Sequence, residues 1–286
     1  MLRNRRFDPL DEEILYHYCS PQTFLTICST RRLRFSDLFS MNDFMEVHWG
    51  YHIWEQAAGS LIEEVGKDLL DAIDAVIHVS GVKALALASC MSRNGDVLSQ
   101  WRAYGSDGTG YAIGFKASEL VQLPVQPLCV EYNVENQVEE LKAFIRAVHR
   151  VEMAEEVKQG PDFVQACARL AFDLTSFKNP AFAEEDEVRL IHMLSFEPSN
   201  NSLRLVDPGG TAFGEPAAPL DVGFHISSGT PVAHLDIPFT VDARSCPITE
   251  VVLGPKNNSM SSGISVMLET FGLANVRVRK SKASYR

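Results

Sequence analysis

Ser89–Phe115 reads SCMSRNGDVLSQWRAYGSDGTGYAIGF, the densest concentration of costly residue types in the chain. Its two ends are strand-like. Lys83–Met91 (KALALASCM) is a nearly unbroken run of apolar and small residues, the pattern of a buried strand, and Tyr111–Phe115 is a second such run. Between them, Asn94-Gly95-Asp96 predicts a turn and Val97–Tyr104 about two turns of helix. Gly105–Gly110 is a glycine-rich loop that precedes a strand and opens no helix. It therefore lacks the helix dipole that favours phosphate, and it reads as a tight turn. Two strands around a short segment bearing Trp101, Arg102 and Tyr104 make this stretch the expected floor of any ligand site.

Toward the N-terminus, Ile14–Tyr18 predicts a strand, and Ser20-Pro21 predicts an N-cap followed by proline at the first helical position. The helix after it would turn Phe24, Leu25, Ile27 and Cys28 inward. Arg32–Phe35 alternates as a short strand, and Ser36 to Asp43 reads as a loop with turn chemistry at Asn42-Asp43. From Glu46 to Ile77, apolar residues recur at helical steps, with Gly59 and Gly66 as dividing points. Toward the C-terminus, a strand is predicted over Leu128–Tyr132, helices over Val134–Lys158 and Asp162–Phe177, and a strand over Val188–Leu194. Residues 197–220 are rich in loop formers; strands then dominate, with one helix over Ser259–Phe271. This order predicts an α+β fold, a single domain over 1–286 with helical segments at about 46–77 and 134–177 and helices against a mixed or antiparallel sheet.

The 286 residues carry a net charge of −11, which argues against a general nucleic-acid-binding surface. Arg31, Arg32 and Arg34 form one small basic cluster, and Arg277 to Arg286 another. The cysteines, six in all, show no CxxC, so reduced thiols in the cytoplasm are expected. No signal-like segment opens the chain, and no apolar run is long enough for a bilayer, so no membrane partner is expected.

Three constellations carry chemistry. In Glu184-Glu185-Asp186-Glu187, strand alternation would put Glu185 and Glu187 on one face. Paired carboxylates suit general-base work or stabilisation of an oxocarbenium-like centre; the bland alternative is a solvated loop that starts a strand. His17, between Tyr16 and Tyr18, could donate to a ligand from a rigid strand, or simply be satisfied by backbone. Trp101-Arg102-x-Tyr104 offers a stacking platform, a cation and a phenol, or a core plug with a surface ion pair.

Several segments together resemble an uncharacterised bacterial domain family. They are Leu15-Tyr16-His17-Tyr18, Leu33-Arg34-Phe35-Ser36, Met41-Asn42-Asp43, Ser89-Cys90-Met91-Ser92, Ser99-Gln100-Trp101-Arg102-x-Tyr104-Gly105, Gly110 to Phe115, Glu185-x-Glu187-x-Arg189-Leu190, Val252-Leu253-Gly254-Pro255 and Ser281 to Arg286. Phe44 departs from the proline usual after Asn-Asp there. The layout also resembles, more remotely, the ADP-ribosyltransferase superfamily. That resemblance implies NAD as substrate, Glu187 as catalytic carboxylate with Glu185 as its companion, and His17, Tyr18, Ser36, Asn42, Ser89, Ser92, Trp101, Arg102 and Tyr104 around the bound NAD. It implies a transferase, a toxin or phage-defence effector, modifying protein or nucleic acid, with homodimer formation left open. A non-catalytic nucleotide-binding module and a metal-dependent nuclease are the alternatives.

Overall fold

The computed structural model describes residues 2, 5–40, 44–240 and 246–285. Asn42, with Met41 and Asp43, lies outside them. Strand β1 (Ile14–Cys19) leads into α1 (Pro21–Thr30), where the Ser20 hydroxyl accepts from the Thr23 N–H at 3.1 Å. Phe24, Ile27 and Cys28 are buried as the pattern requires; Leu25 is 42% exposed and corrects that part of the expectation. Next come β2 (Arg32–Asp37), α2 (Phe44–Val65) and α3 (Lys67–Lys83). The long helical pattern breaks at Gly66, whose φ of 85° only glycine adopts readily, and runs unbroken through Gly59.

The opening stretch folds as β3 (Ala84–Ser92), α4 (Leu98–Ala103) and β4 (Tyr111–Lys116). Then follow α5 (Ala117–Leu120), β5 (Gln126–Cys129), α6 (Val134–Ala154), α7 (Pro161–Asp173) and β6 (Glu187–Pro198). The strand expected over 128–132 thus begins and ends earlier, because β6 pairs with residues 126–129 while Glu131 turns away to bridge Phe177. The loop-like region 197–220 contains β7 (Leu203–Val206) and the small hairpin of β8 (Gly210–Ala212) and β9 (Glu215–Ala217). The chain closes with β10 (Gly223–Ser227), β11 (Thr230–Pro238), β12 (Ile248–Leu253), α8 (Ser261–Thr270) and β13 (Arg277–Lys280).

The result is an α+β fold around an 11-stranded sheet ordered β10-β11-β2-β3-β1-β4-β12-β13, with β5, β6 and β7 branching from β3 through β6. Among the described residues the pairings between strands are antiparallel, except β12 with β13. One sheet face buries Leu15, Leu87, Phe115 and Val251 under α1 and α8. The other carries Tyr18, Ala112 and Val252 against Trp101 of α4. The four long helices α2, α3, α6 and α7 share a separate core around Ile53, Ile73, Ile145 and Leu170. Among the described residues no helix is long and apolar enough to cross a membrane.

One irregularity positions the site. Strand β3 pairs with β2 at Ala88 and Leu87, and with β1 only at Ser92, opposite Tyr16. Between those points, over Ser89–Met91, that edge of β3 has no ladder partner among the described residues, and the sheet opens. On its far side β1 is tightly locked to β4. A Cβ on Gly110 would lie 2.1 Å from the Cys19 carbonyl oxygen, a backbone atom that cannot step aside. Gly110→Ala is therefore expected to destabilise the fold by about 1–3 kcal/mol, read from the urea midpoint.

Candidate functional site

A cavity of about 470 Å³ occupies the opening between β1 and β3, within the range typical of small-molecule sites, roughly 300–1,000 Å³. Its walls include His17, Tyr18, Ser36, Ser89, Ser92, Tyr104, Glu185 and Glu187, so residues predicted from distant stretches share one space. Two other candidates stand apart. Trp101 is 0% exposed, donates its indole N–H to Asp96 Oδ1 at 2.9 Å, and meets Tyr18 edge-on at 4.8 Å. It is a core plug that braces a cavity residue from behind, in place of the stacking platform considered above. Arg102 is exposed, with its guanidinium 5.9 Å from the Tyr285 ring, and is not part of the cavity wall.

The carboxylates reach the cavity by a route that strand alternation does not describe. Glu185 ends a 3-10 turn (Pro180–Glu185), Asp186 takes the left-handed region at φ 42°, and Glu187 begins β6. Neither side chain is solvated: Glu185 is 8% and Glu187 4% exposed. Between them sits Lys178, also buried, which donates to Glu185 Oε2 and, at 3.1 Å, to Glu187 Oε2. Arg189, two residues along β6 and so on the same face, grips Glu187 from Nε to Oε1 at 2.8 Å and from Nη2 to Oε2 at 3.1 Å. The Glu187 N–H donates to the Tyr132 hydroxyl at 3.1 Å.

This network drives the two carboxyls in opposite directions. Burial raises Glu187, but the Arg189 guanidinium and then the Lys178 ammonium overcome it and hold the carboxyl down at about 2. Burial likewise raises Glu185, and there Lys178 does not overcome it, so its carboxyl stays above the ordinary value. The Tyr104 hydroxyl donates to Glu185 Oε1 at 3.0 Å and is itself pushed up by burial, then by that carboxylate. The cavity thus has one fixed anion and one carboxyl–phenol pair that holds its protons more tightly.

His17 closes the other side. Its Nδ1 lies 3.1 Å from the Cys90 carbonyl, which can only accept, so Nδ1 carries the proton and Nε2 is left as an acceptor. Burial lowers the imidazole below its ordinary value, which keeps it neutral. Ser89 is 2% exposed, and its hydroxyl has no hydrogen-bond partner among the described residues. An orphaned buried hydroxyl on a cavity wall costs about 1–3 kcal/mol and is relieved by a polar ligand atom.

Lys178 is the residue that reading the sequence missed. The run Phe177-Lys178-Asn179-Pro180 signals a helix stop, and nothing local says that its lysine turns inward between two carboxylates. Arg189 had a signal: on a strand, its spacing of two from Glu187 puts both on one face.

Residues 100–190 match the model of a family described as "Protein of unknown function (DUF2971)". The match supports an uncharacterised domain family and runs from α4 into β6, so it takes in Tyr104, Lys178, Glu185, Glu187 and Arg189. No curated protein and no solved structure matches the chain.

Proposed function

We propose that the cavity binds NAD and that the protein is an ADP-ribosyltransferase-like enzyme acting on a protein or nucleic-acid acceptor. The observation that carries this reading is that His17 from β1, Ser89 and Ser92 from β3, and Glu187 at the head of β6 line one cavity. In such a transfer the bond between ribose C1′ and nicotinamide breaks, nicotinamide leaves with the electron pair, and an acceptor nucleophile attacks the ribose. Positive charge develops on the ribose as the bond breaks. Glu187, ionised across the working pH range, is the group suited to stabilise it. Tyr16, Tyr18, Tyr104 and Phe182 supply aromatic wall for a planar ring. His17 Nε2 and the Ser89 hydroxyl supply an acceptor and a polar group for amide or ribose atoms.

One observation favours a non-catalytic nucleotide-binding module as the second reading: both Glu187 oxygens are already engaged by Arg189 and Lys178. Binding of NAD without consumption would select it. The nuclease alternative has weaker support. Glu185 and Glu187 are joined by a lysine, and among the described residues no group of three or more His, Cys, Asp or Glu side chains is placed to hold a metal ion.

The test is nicotinamide release from NAD by the wild type and by Tyr104→Phe, which removes only the hydroxyl on Glu185. The expected result is turnover in the wild type and a loss of roughly two- to tenfold in the variant, the worth of one ordinary hydrogen bond. No binding and no turnover of NAD by the wild type would remove this reading.

A further inference from the structure

At the sheet edge, two half-buried histidines face one another on neighbouring strands. His225 on β10 and His234 on β11 bring their Nδ1 atoms to 3.3 Å, with ring centroids 5.1 Å apart and planes at 71°. Strand register sets this contact. Gly223 pairs with His234 and His225 with Val232, so the imidazoles are diagonal neighbours on one face. The His234 ring packs over Gly223, where a Cβ would lie 2.7 Å from it and would push the imidazole aside.

A separation of 3.3 Å fits a hydrogen bond between the rings. It is also the spacing that a tetrahedral ion imposes on two imidazole nitrogens: with bonds of about 2.0–2.1 Å, they stand about 3.3–3.4 Å apart. One further feature bears on the ion. On the other ring nitrogen, His234 Nε2 has Asp236 Oδ2 at 3.8 Å; that carboxylate is held by Arg34 through two bonds of 2.8 Å, so it places negative charge beside the imidazole without a direct hydrogen bond to it.

We propose that His225 and His234 bind a borderline transition-metal ion, of the zinc, nickel or copper class, through their Nδ1 atoms, with water completing its shell. The pair supplies two protein ligands, in keeping with the absence of any larger metal-holding group among the described residues. Ser36, which lines the cavity, pairs with His234 across β2 and β11, so the ion would sit one strand from the cavity mouth. The inference does not depend on the NAD reading.

The full chain is titrated with zinc chloride in a non-chelating buffer by calorimetry, with magnesium chloride as the oxygen-preferring control. The expected result is saturable binding of one zinc ion and none of magnesium. His225→Ala and His234→Ala should each weaken zinc by about tenfold or more, whereas exposed His78→Ala should leave it unchanged. Far-UV circular dichroism shows that the variants fold. No saturable zinc binding, or undiminished binding in the His225→Ala/His234→Ala double variant, would show that the pair is only a hydrogen bond.

Discussion

Arg189→Met should lower the unfolding free energy by about 3–5 kcal/mol, the cost of leaving a buried charge without its partner. Glu187 is almost wholly buried, and Arg189 holds it through Nε and Nη2 on one guanidinium edge, while its third nitrogen donates to the Thr175 carbonyl at 2.6 Å. Methionine keeps an unbranched apolar side chain but is shorter and supplies no donor, so Lys178 would be the charged partner left to the carboxylate. The same ion pairs make a statement about pH. Glu187 is held at about 2 when folded, against about 4.3 for an unfolded glutamate. Its ionisation therefore stabilises the fold fully above about pH 5, and that contribution, about 3 kcal/mol, is lost as pH falls from there toward 2. Glu185 has the opposite sign: its raised carboxyl favours the fold more as pH falls through its folded value. His17 adds to the acid loss, because a lowered imidazole lets the unfolded chain bind the proton first as pH falls below about 6.5. Urea unfolding at pH 7 and at pH 3 checks both points. The wild type should lose stability between them, and Arg189→Met should start lower and lose less. Equal midpoints for the two proteins at pH 7 would show that the grip on Glu187 adds no stability.

Glu187→Gln is expected to cut nicotinamide release from NAD by roughly 10²–10³, the cost typical of removing one group that meets developing charge in a transition state. The substitution keeps the shape and removes the anion. It also leaves the Lys178 and Arg189 charges without Glu187, so some stability will go with it. The assay is therefore run well below the variant's own unfolding midpoint, and NAD affinity is measured alongside. Affinity within a few-fold of wild type with turnover lost separates catalysis from folding and from binding. Glu185→Gln is the internal comparison: its carboxyl is held closer to the neutral state, so replacement by an amide should cost less turnover than at Glu187. Turnover of Glu187→Gln equal to wild type would remove Glu187 from the chemistry.

Much of this fold is readable from local rules. Ser20-Pro21 caps and starts α1 as written, the unbroken apolar run before Ser92 is the buried β3, and the helical period over α2 and α3 breaks at the glycine that takes positive φ. The failures have physical causes. Leu25 sits beside inward residues in the pattern, yet a helix ten residues long buries only one narrow face. Glu185 and Glu187 do share a site, but through a left-handed Asp186 that nothing in a run of acidic residues announces. Trp101 lies on a short helix and Tyr104, three residues on, caps its end. Aromatic type alone does not say which packs in the core and which meets the cavity, and the structure assigns Trp101 to the first and Tyr104 to the second. Lys178 was least readable of all, because its role depends on two carboxylates seven and nine residues away, folded back across a 3-10 turn.

Hydrogen exchange of the whole chain with and without NAD tests most directly whether the opening between β1 and β3 is a nucleotide site. Slower exchange is predicted in peptides covering residues 14–19, 84–92 and 177–189, which carry His17, the free edge of β3, Lys178 and Glu187. Unchanged exchange in all three at saturating NAD, or protection confined to other parts of the chain, would contradict it.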